Sequence, residues 1–199
     1  MPVASRGVTT ARLRPEGPAD APGIRRVLAE AFARPGVALP DEVGLVEALR
    51  ATDAWLPELS MVVEVDSTDE DLIEDAATFG QVVGYALLTR VRVNPGSTGA
   101  LALGPVAVLP RQQGRGYGSA AVWAALEAAT DLGERLVVVL GDPLWYRRFG
   151  FGPAGELGLT SPWSGLGDPW QALVLPPSVS AADPPPSGEV TYPAPWSRV

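Results

Sequence analysis

A strand, a glycine-rich loop, a helix and a second strand follow one another over residues 101–141, and this unit constrains the fold most. LALGPVAVLP (101–110) is an apolar strand, PRQQGRGYGSA (110–120) holds three glycines, and RLVVVLG (135–141) is typical of a buried strand. From Gly118 onward, the apolar positions follow helical spacing. Because parallel strands need a long crossover between them, the segment predicts a right-handed βαβ unit.

Further strands and helices are predicted around this unit. Apolar runs and loose alternation predict strands at residues 8–15, 61–65, 81–93, 155–160 and 171–175. The second and third of these form a hairpin. Helices are predicted after Asp20, which caps a segment with Pro22 in its first turn, and over 41–51. A chain of 199 residues is expected to bury one core.

The ionisable side chains restrict the chemistry. All 15 cationic side chains are arginine, and the chain has no lysine, histidine or cysteine. This composition excludes cysteine nucleophiles, disulfides, Ser-His-Asp triads, His/Cys zinc sites, P-loop lysines and pyridoxal Schiff bases. The net charge of −8 opposes general binding to nucleic acid or anionic membranes, so we expect neither as a partner.

The sequence has no apolar run of membrane-helix length, and its first residues lack the pattern of a secretory signal. We therefore expect a cytoplasmic protein. The acidic connection DSTDEDLIEDAATFG (66–80) lacks the glycine-centred spacing of a calcium loop. We expect a solvated loop there and no metal site.

The glycine loop has the features of an anion site. Unpaired N–H groups at a helix N-terminus carry partial positive charge, and glycines let a phosphate approach closely. Arg111 and Arg115 add charge in a stretch, 101–126, that has no acidic residue. A Walker loop is excluded by the lack of lysine. Two alternatives stay open: a dinucleotide fingerprint from Gly116, with Asp142 as the ribose-binding acid, and a turn that binds nothing.

Gly104-Pro105 interrupts the strand at 101–110. Proline cannot donate to a sheet ladder, so a central strand carries it only where a bulge locally breaks the pairing. We therefore expect broken pairing close to the glycine loop.

Two segments carry a resemblance to a known family. LGPVAVLPRQQGRGYGSAAV and, about 20 residues later, LVVVLGDPLWYRRFGF resemble the GNAT superfamily of acyl-CoA N-acyltransferases, whose signature is Q/R-x-x-G-x-G/A. Gln113, Gly116 and Gly118 match it, as do Arg111, Gly114 and Gly116 one register earlier. The LGP-x-AV strand, the LGDP-x-x-Y segment and a late element at 192–195 are similar to a bacterial group of predicted N-acetyltransferases.

This resemblance implies the fold class and the cofactor. The class is α/β (α+β), with a mixed, mostly antiparallel sheet flanked by helices, and acetyl-CoA is the cosubstrate. In the family the pantetheine arm pairs with a splayed central strand, which here implies main-chain contacts from Val106, Ala107 and Val108. The signature loop implies binding of the pyrophosphate by Gln113, Gly114, Arg115, Gly116, Tyr117, Gly118 and Ser119.

The family pattern Y-x-x-x-G-F implies a catalytic acid beside the cofactor sulfur, here Tyr146. Complete proton donation from an ordinary tyrosine to a thiolate is uphill by about 2 kcal/mol, so hydrogen bonding with partial transfer is as plausible as full donation. The asparagine that many members carry before this tyrosine is absent. Asp142 is interpreted as a helix cap before Pro143 rather than a functional residue. Glu64 is a candidate general base, with an ordinary solvent-facing position as the alternative.

The function expected from the resemblance is transfer of an acetyl group to an amine by direct attack on the thioester. The alternative is a non-catalytic acyl-CoA-binding sensor or partner module. The acceptor is a small-molecule or protein amine. Its pocket is expected to be shaped by the helices before residue 51 and by residues 161–170, where Trp163 and Trp170 either form an apolar wall or pack. We expect the acetyltransferase domain at 1–175, a proline-rich strap packed on it at 176–199, and a possible homodimer.

Overall fold

The computed structural model describes residues 10–66, 80–95, 98–176 and 185–198. Residues 67–79 of the acidic connection (66–80), for which we expected a solvated loop and no metal site, lie outside the described residues. The strands of the described part are β1 (Thr10–Pro15), β2 (Ser60–Asp66), β3 (Gln81–Asn94), β4 (Thr98–Val108), β5 (Leu136–Leu140), β6 (Gly152–Pro153), β7 (Leu159–Thr160), β8 (Trp170–Val174) and β9 (Gly188–Thr191). The α-helices are α1 (Ala21–Ala31), α2 (Asp41–Leu49), α3 (Tyr117–Asp131) and α4 (Pro143–Tyr146).

All of these strands belong to one mixed sheet. Its main order is β1-β2-β3-β4-β5-β8-β6, and β9 pairs with both β3 and β7. The β4–β5 and β7–β9 pairs are parallel, and the other pairs are antiparallel. The predicted mixed, mostly antiparallel sheet is confirmed.

The core lies on both faces of the sheet around β3. Residues 82–89 of this strand are buried without interruption, which requires cover above and below the sheet. Both α1 and α3 pack against β3, and α1 also contacts α2. The inner side of α1, with Ile24, Val27 and Leu28, is fully buried. The helices therefore flank the sheet as expected.

The βαβ unit forms as predicted, and its first strand is broken. Leu101 to Leu103 of β4 pair with β5, whereas β4 pairs with β3 along most of its length. Opposite Leu87 of β3, the register shifts by one residue, because Gly104 and Pro105 together face this single position. This is the bulge that the proline predicted.

Two local predictions were wrong. Residues 155–160 do not form a strand, since Ala154–Leu157 is a 3₁₀ helix and β7 holds only two residues. Asp20 stands at the N-cap of α1, but its carboxylate makes no hydrogen bond to that helix. Instead it accepts hydrogen bonds from the guanidinium of Arg14 and from the N–H of Gly17. The ion pair with Arg14 lowers the pKa of this carboxyl group.

The C-terminal residues 185–198 pack back onto the sheet. Strand β9 pairs with residues Arg92 to Asn94 of β3, and the following 3₁₀ helix buries Trp196. Gly104 lies under this indole at φ +149°, and a Cβ there would be 3.2 Å from Trp196 Cη2. The bulge in β4 thus leaves room for a side chain from the end of the chain.

Candidate active site

The strands β4 and β5 separate towards the glycine loop. Pairing between them stops at Leu103, whereas Val106, Ala107 and Val108 stay paired with β3 on the other edge. Within the described residues, this segment of β4 has no strand partner on its β5 side. Extended backbone with an unpaired edge is suited to main-chain hydrogen bonds from an extended ligand.

A cavity of about 520 Å³ occupies this opening. It extends from the separated strand to the first turn of α3 and to α4. Its described lining residues are Val106, Ala107, Val108, Gln112, Gln113, Gly114, Gly116, Tyr117, Gly118, Ser119, Trp145, Tyr146 and Arg148. Every residue that the sequence indicated for the cofactor is present except Arg115, which is exposed and lies outside the lining.

The glycine loop presents backbone amides to this cavity. Gly114 and Gly116 adopt left-handed conformations, at φ +75° and +86°, and no other atom lies within 4 Å of a Cβ built on either. The first hydrogen bond of α3 runs from the N–H of Ala120 to the carbonyl of Gly116. The amides of Tyr117 to Ser119 therefore precede the helical ladder, which is the arrangement that binds an anion.

The loop conformation gives a first prediction. Gly116→Ala forces a residue with a Cβ into the left-handed region, which costs about 1–2 kcal/mol. We expect a moderately lower unfolding midpoint and a loss of stabilisation by CoA, because the loop amides are displaced. Gly155→Ala is the matched control, since Gly155 has open space and no positive φ. Equal CoA stabilisation in the two variants contradicts a binding role for the loop.

Two glutamines complete the loop. The Gln113 amide donates to the carbonyl of Val108 at 3.2 Å and so ties the loop to β4. Gln112 is buried, and its Oε1 has no hydrogen-bond partner in the described part of the chain. The sequence reasoning missed Gln112, Trp145 and Arg148. The last two are neighbours of Tyr146 in the chain, which was the available signal.

Tyr146 lines this cavity. It is the last residue of α4, is 9% exposed, and has aromatic contacts with Trp145, Phe149 and Phe151. Burial raises the pKa of its phenol to about 12. The ring is also close to Gly141, where a Cβ would be 3.0 Å from Tyr146 Cδ2.

A second cavity, of about 260 Å³, lies next to the first. Val106 and Tyr146 line both of them. The remaining described lining residues of the second cavity are Phe32, Glu42, Leu45, Ala102, Leu103, Gly104, Pro105, Val138, Val139, Leu140, Trp163, Tyr192 and Trp196. The sequence left open whether Trp163 forms an apolar wall or packs, and the structure places it in this lining. The sequence did not single out Glu42, Tyr192 or Trp196 as lining residues.

The other candidate residues line neither cavity and make hydrogen bonds within the fold. Trp170 is buried outside the second cavity and donates its indole N–H to the Tyr192 hydroxyl at 3.2 Å. Glu64 lines neither cavity and accepts a 2.6 Å hydrogen bond from Arg14. Asp142 accepts a hydrogen bond from the Leu144 N–H, so its interpretation as a helix cap is confirmed.

The fold and the site together define a class of protein. A central strand separates from its parallel neighbour, helix amides and glycines lie at the mouth of the gap, and a buried tyrosine lines both cavities. This arrangement is suited to binding an extended anionic ligand between two strands.

Comparison with known proteins gives the family. The model of the acetyltransferase (GNAT) family matches residues 40–151. The "Uncharacterized N-acetyltransferase YhbS" of Escherichia coli strain K12 is 33% identical over 159 residues, which cover 80% of this chain and 84% of that protein. The "Uncharacterized N-acetyltransferase YjhQ" of the same strain is 31% identical, covering 72% and 71%. The chain belongs to the GNAT family, and the predicted enzyme class is confirmed.

Solved structures agree with this assignment. The crystal structure of YhbS from Escherichia coli in complex with CoA superposes with a TM-score of 0.72 at 29% identity, covering 99% of this chain and 95% of that one. A GNAT family acetyltransferase from Brucella melitensis in complex with acetyl-CoA gives a TM-score of 0.69 at 32% identity, covering 94% and 98%.

Two further findings concern the described residues alone. None of their helices has the length and apolar character to cross a membrane. Among the same residues, no group of three or more acidic side chains is placed to hold a metal ion.

Proposed function

We propose that this acetyltransferase takes the acetyl group from acetyl-CoA in the 520 Å³ cavity and passes it to an amine that enters through the 260 Å³ cavity. The observation that carries this proposal is that Val106 and Tyr146 line both cavities. A donor and an acceptor bound on the two sides would have their reacting groups brought together beside these two residues.

The residues present fit acetyl-CoA. The unpaired edge of Val106 to Val108 suits the amides of the pantetheine arm, and the first-turn amides of α3 suit the pyrophosphate. Each charge-assisted hydrogen bond contributes about 1.5–3 kcal/mol. Arg148, which lines the cavity, adds positive charge nearby. CoA and acetyl-CoA are the ligands of the two structural relatives, which supports the same choice here.

Acetyl-CoA supplies an activated thioester, and the protein has to position the amine and assist the departing sulfur. We assign the second task to the Tyr146 hydroxyl. With its pKa raised to about 12, complete transfer of its proton to a thiolate of pKa about 8.5 is uphill by about 5 kcal/mol. Tyr146 therefore acts by donating a hydrogen bond that strengthens as negative charge develops on sulfur, rather than by full ionisation.

Ligand-dependent unfolding tests the cofactor assignment. We expect acetyl-CoA and CoA to raise the unfolding midpoint, since a ligand at 100 times its dissociation constant adds about 2.7 kcal/mol of stability. For a chain of this size that corresponds to several degrees. NAD and NADP are the controls, and we expect no shift with either. A shift with NAD in place of CoA would favour the dinucleotide alternative and overturn the proposal.

The sensor alternative is separated by turnover. An acyl-CoA sensor binds CoA but releases no free thiol with any amine, whereas the enzyme releases thiol in proportion to the amine acetylated.

We make three further proposals: the enzyme acts in the bacterial cytoplasm, it forms a homodimer, and residues 176–199 belong to the same single domain. The last is supported by the pairing of β9 with β3 and by the place of Trp196 in the second cavity.

A further inference from the structure

One carboxylate faces the second cavity. Glu42 belongs to the first turn of α2, is 8% exposed, and is the one acidic residue among the described lining residues. Its Oε1 accepts a hydrogen bond from Arg34 Nη2 at 2.9 Å. Its Oε2 is buried and has no hydrogen-bond partner among the described residues.

A buried carboxylate oxygen without a partner is unfavourable in an empty protein. Two features stabilise the negative charge of the Glu42 carboxylate. Arg34 forms an ion pair with one oxygen, and the helix dipole favours an acidic residue in the first turn of α2. The second oxygen has almost no accessible surface, so a donor from outside the chain reaches it only where the carboxylate turns toward the cavity that Glu42 lines.

Aromatic side chains form part of the wall of this cavity. The rings of Trp163, Tyr192 and Trp196 pack edge to face. The ring centroids are 4.3 Å apart for Trp163 and Tyr192 and 5.6 Å apart for Tyr192 and Trp196. Two hydrogen bonds anchor them, from Trp170 to Tyr192 and from Trp196 to Thr89. Such a wall suits an apolar or aromatic body, and a volume of about 260 Å³ limits that body to a small molecule.

We propose that Glu42 Oε2 binds the amino group of the acceptor, and that the acceptor is a small primary amine with an apolar or aromatic body. The inference rests on the proposed function, because it assigns the acceptor side of that reaction. It explains why a mostly apolar cavity lining contains a carboxylate, and it uses a side-chain oxygen that lacks a hydrogen-bond partner among the described residues.

The same contact positions the amine for the reaction. A primary ammonium held at Glu42 Oε2 releases one proton to solvent, and its nitrogen then attacks the thioester carbonyl carbon. The C–N bond forms and the C–S bond breaks. The second nitrogen proton is released to solvent as the amide forms, and the thiolate leaves with the Tyr146 hydrogen bond. Oxidation states do not change, and acetyl-CoA is the only co-reactant.

Binding to the CoA complex tests the inference without requiring turnover. The probes are 2-phenylethylamine and its neutral analogue 2-phenylethanol, followed by tryptophan fluorescence because Trp163 and Trp196 line the cavity. We expect the wild type to bind the amine at least tenfold more tightly than the alcohol. Glu42→Gln, which keeps the shape, should lose about 10- to 100-fold in amine affinity and nothing for the alcohol.

Glu47→Gln is the matched control. Glu47 lies on the same helix, is half exposed, pairs with Arg25, and lines neither cavity. The substitution makes the same change of charge as Glu42→Gln, and we expect this variant to prefer the amine over the alcohol as strongly as the wild type does. Equal losses for amine and alcohol in Glu42→Gln identify a structural role and overturn the inference, as does a wild type without preference or one that binds neither probe. The shift of the unfolding midpoint by CoA tests cofactor binding, and thus the proposed function, independently of the amine.

Discussion

Tyr146→Phe should lower kcat for acetyl transfer by about 10²–10⁴-fold, the range typical of a positioned acid, while stabilisation by CoA is unchanged. The substitution removes only the hydroxyl. The ring keeps its contacts with Phe149 and Phe151, so we expect a nearly wild-type unfolding midpoint. The measurement is free-thiol release at saturating acetyl-CoA, paired with thermal unfolding in the presence of CoA.

The pH dependence gives this prediction a second readout. Burial disfavours the phenolate and so raises the pKa of Tyr146 to about 12, which means that the hydroxyl stays protonated as the pH rises from 6 to 10. The rate of the variant should therefore be lower by a constant factor over that range. A descending limb near pH 10 that is present in the wild type and absent in the variant would show an ordinary phenol pKa and contradict the assigned environment.

The cofactor side of the site could be predicted because its determinants are local. Glycines at 114 and 116 are needed for left-handed backbone, and a proline at 105 needs broken pairing, wherever the rest of the chain lies. The β4–β5 crossover follows from its own apolar periodicity. Arg115 shows the limit of this reasoning, because a side chain in a signature loop can still point away from the cavity that the loop forms.

The acceptor side could not be predicted because its residues meet only in the tertiary structure. Glu42, Trp163 and Trp196 come from a helix, a loop and the last turn of the chain. In the sequence, Glu42 is one of three acidic residues, with Asp41 and Glu47, in the predicted helix over 41–51. Its position became informative only through the missing partner of Oε2, and that depends on which groups other elements bring near it.

The incorrect strand at 155–160 has a related cause. GELGLT has leucines at alternate positions, 157 and 159, which fits a strand pattern. However, Gly158 adopts φ +67° and ends the 3₁₀ helix Ala154–Leu157. Only Leu159 and Thr160 then pair, with β9, a partner more than 25 residues away in the chain. Tertiary pairing decided this element more than its own pattern did.

Gly141→Ala should have an effect on catalysis that approaches the loss of the Tyr146 hydroxyl itself. The new Cβ would contact Tyr146 Cε2 and lie 3.0 Å from Cδ2, and the ring cannot retreat because Trp145, Phe149 and Phe151 surround it. Overpacking of this kind costs about 1–3 kcal/mol, which for this chain length lowers the unfolding midpoint by about 2–4 °C per kcal/mol.

Because the substitution acts through the position of the hydroxyl, its effect on kcat should not add to that of Tyr146→Phe. We expect the double variant Gly141→Ala/Tyr146→Phe to have the kcat of the single tyrosine variant. Gly152→Ala is the control, since a Cβ there meets nothing within 4 Å, and it should keep the wild-type rate. Losses that multiply in the double variant would mean that Gly141 matters for a reason other than placing Tyr146 in the lining of both cavities.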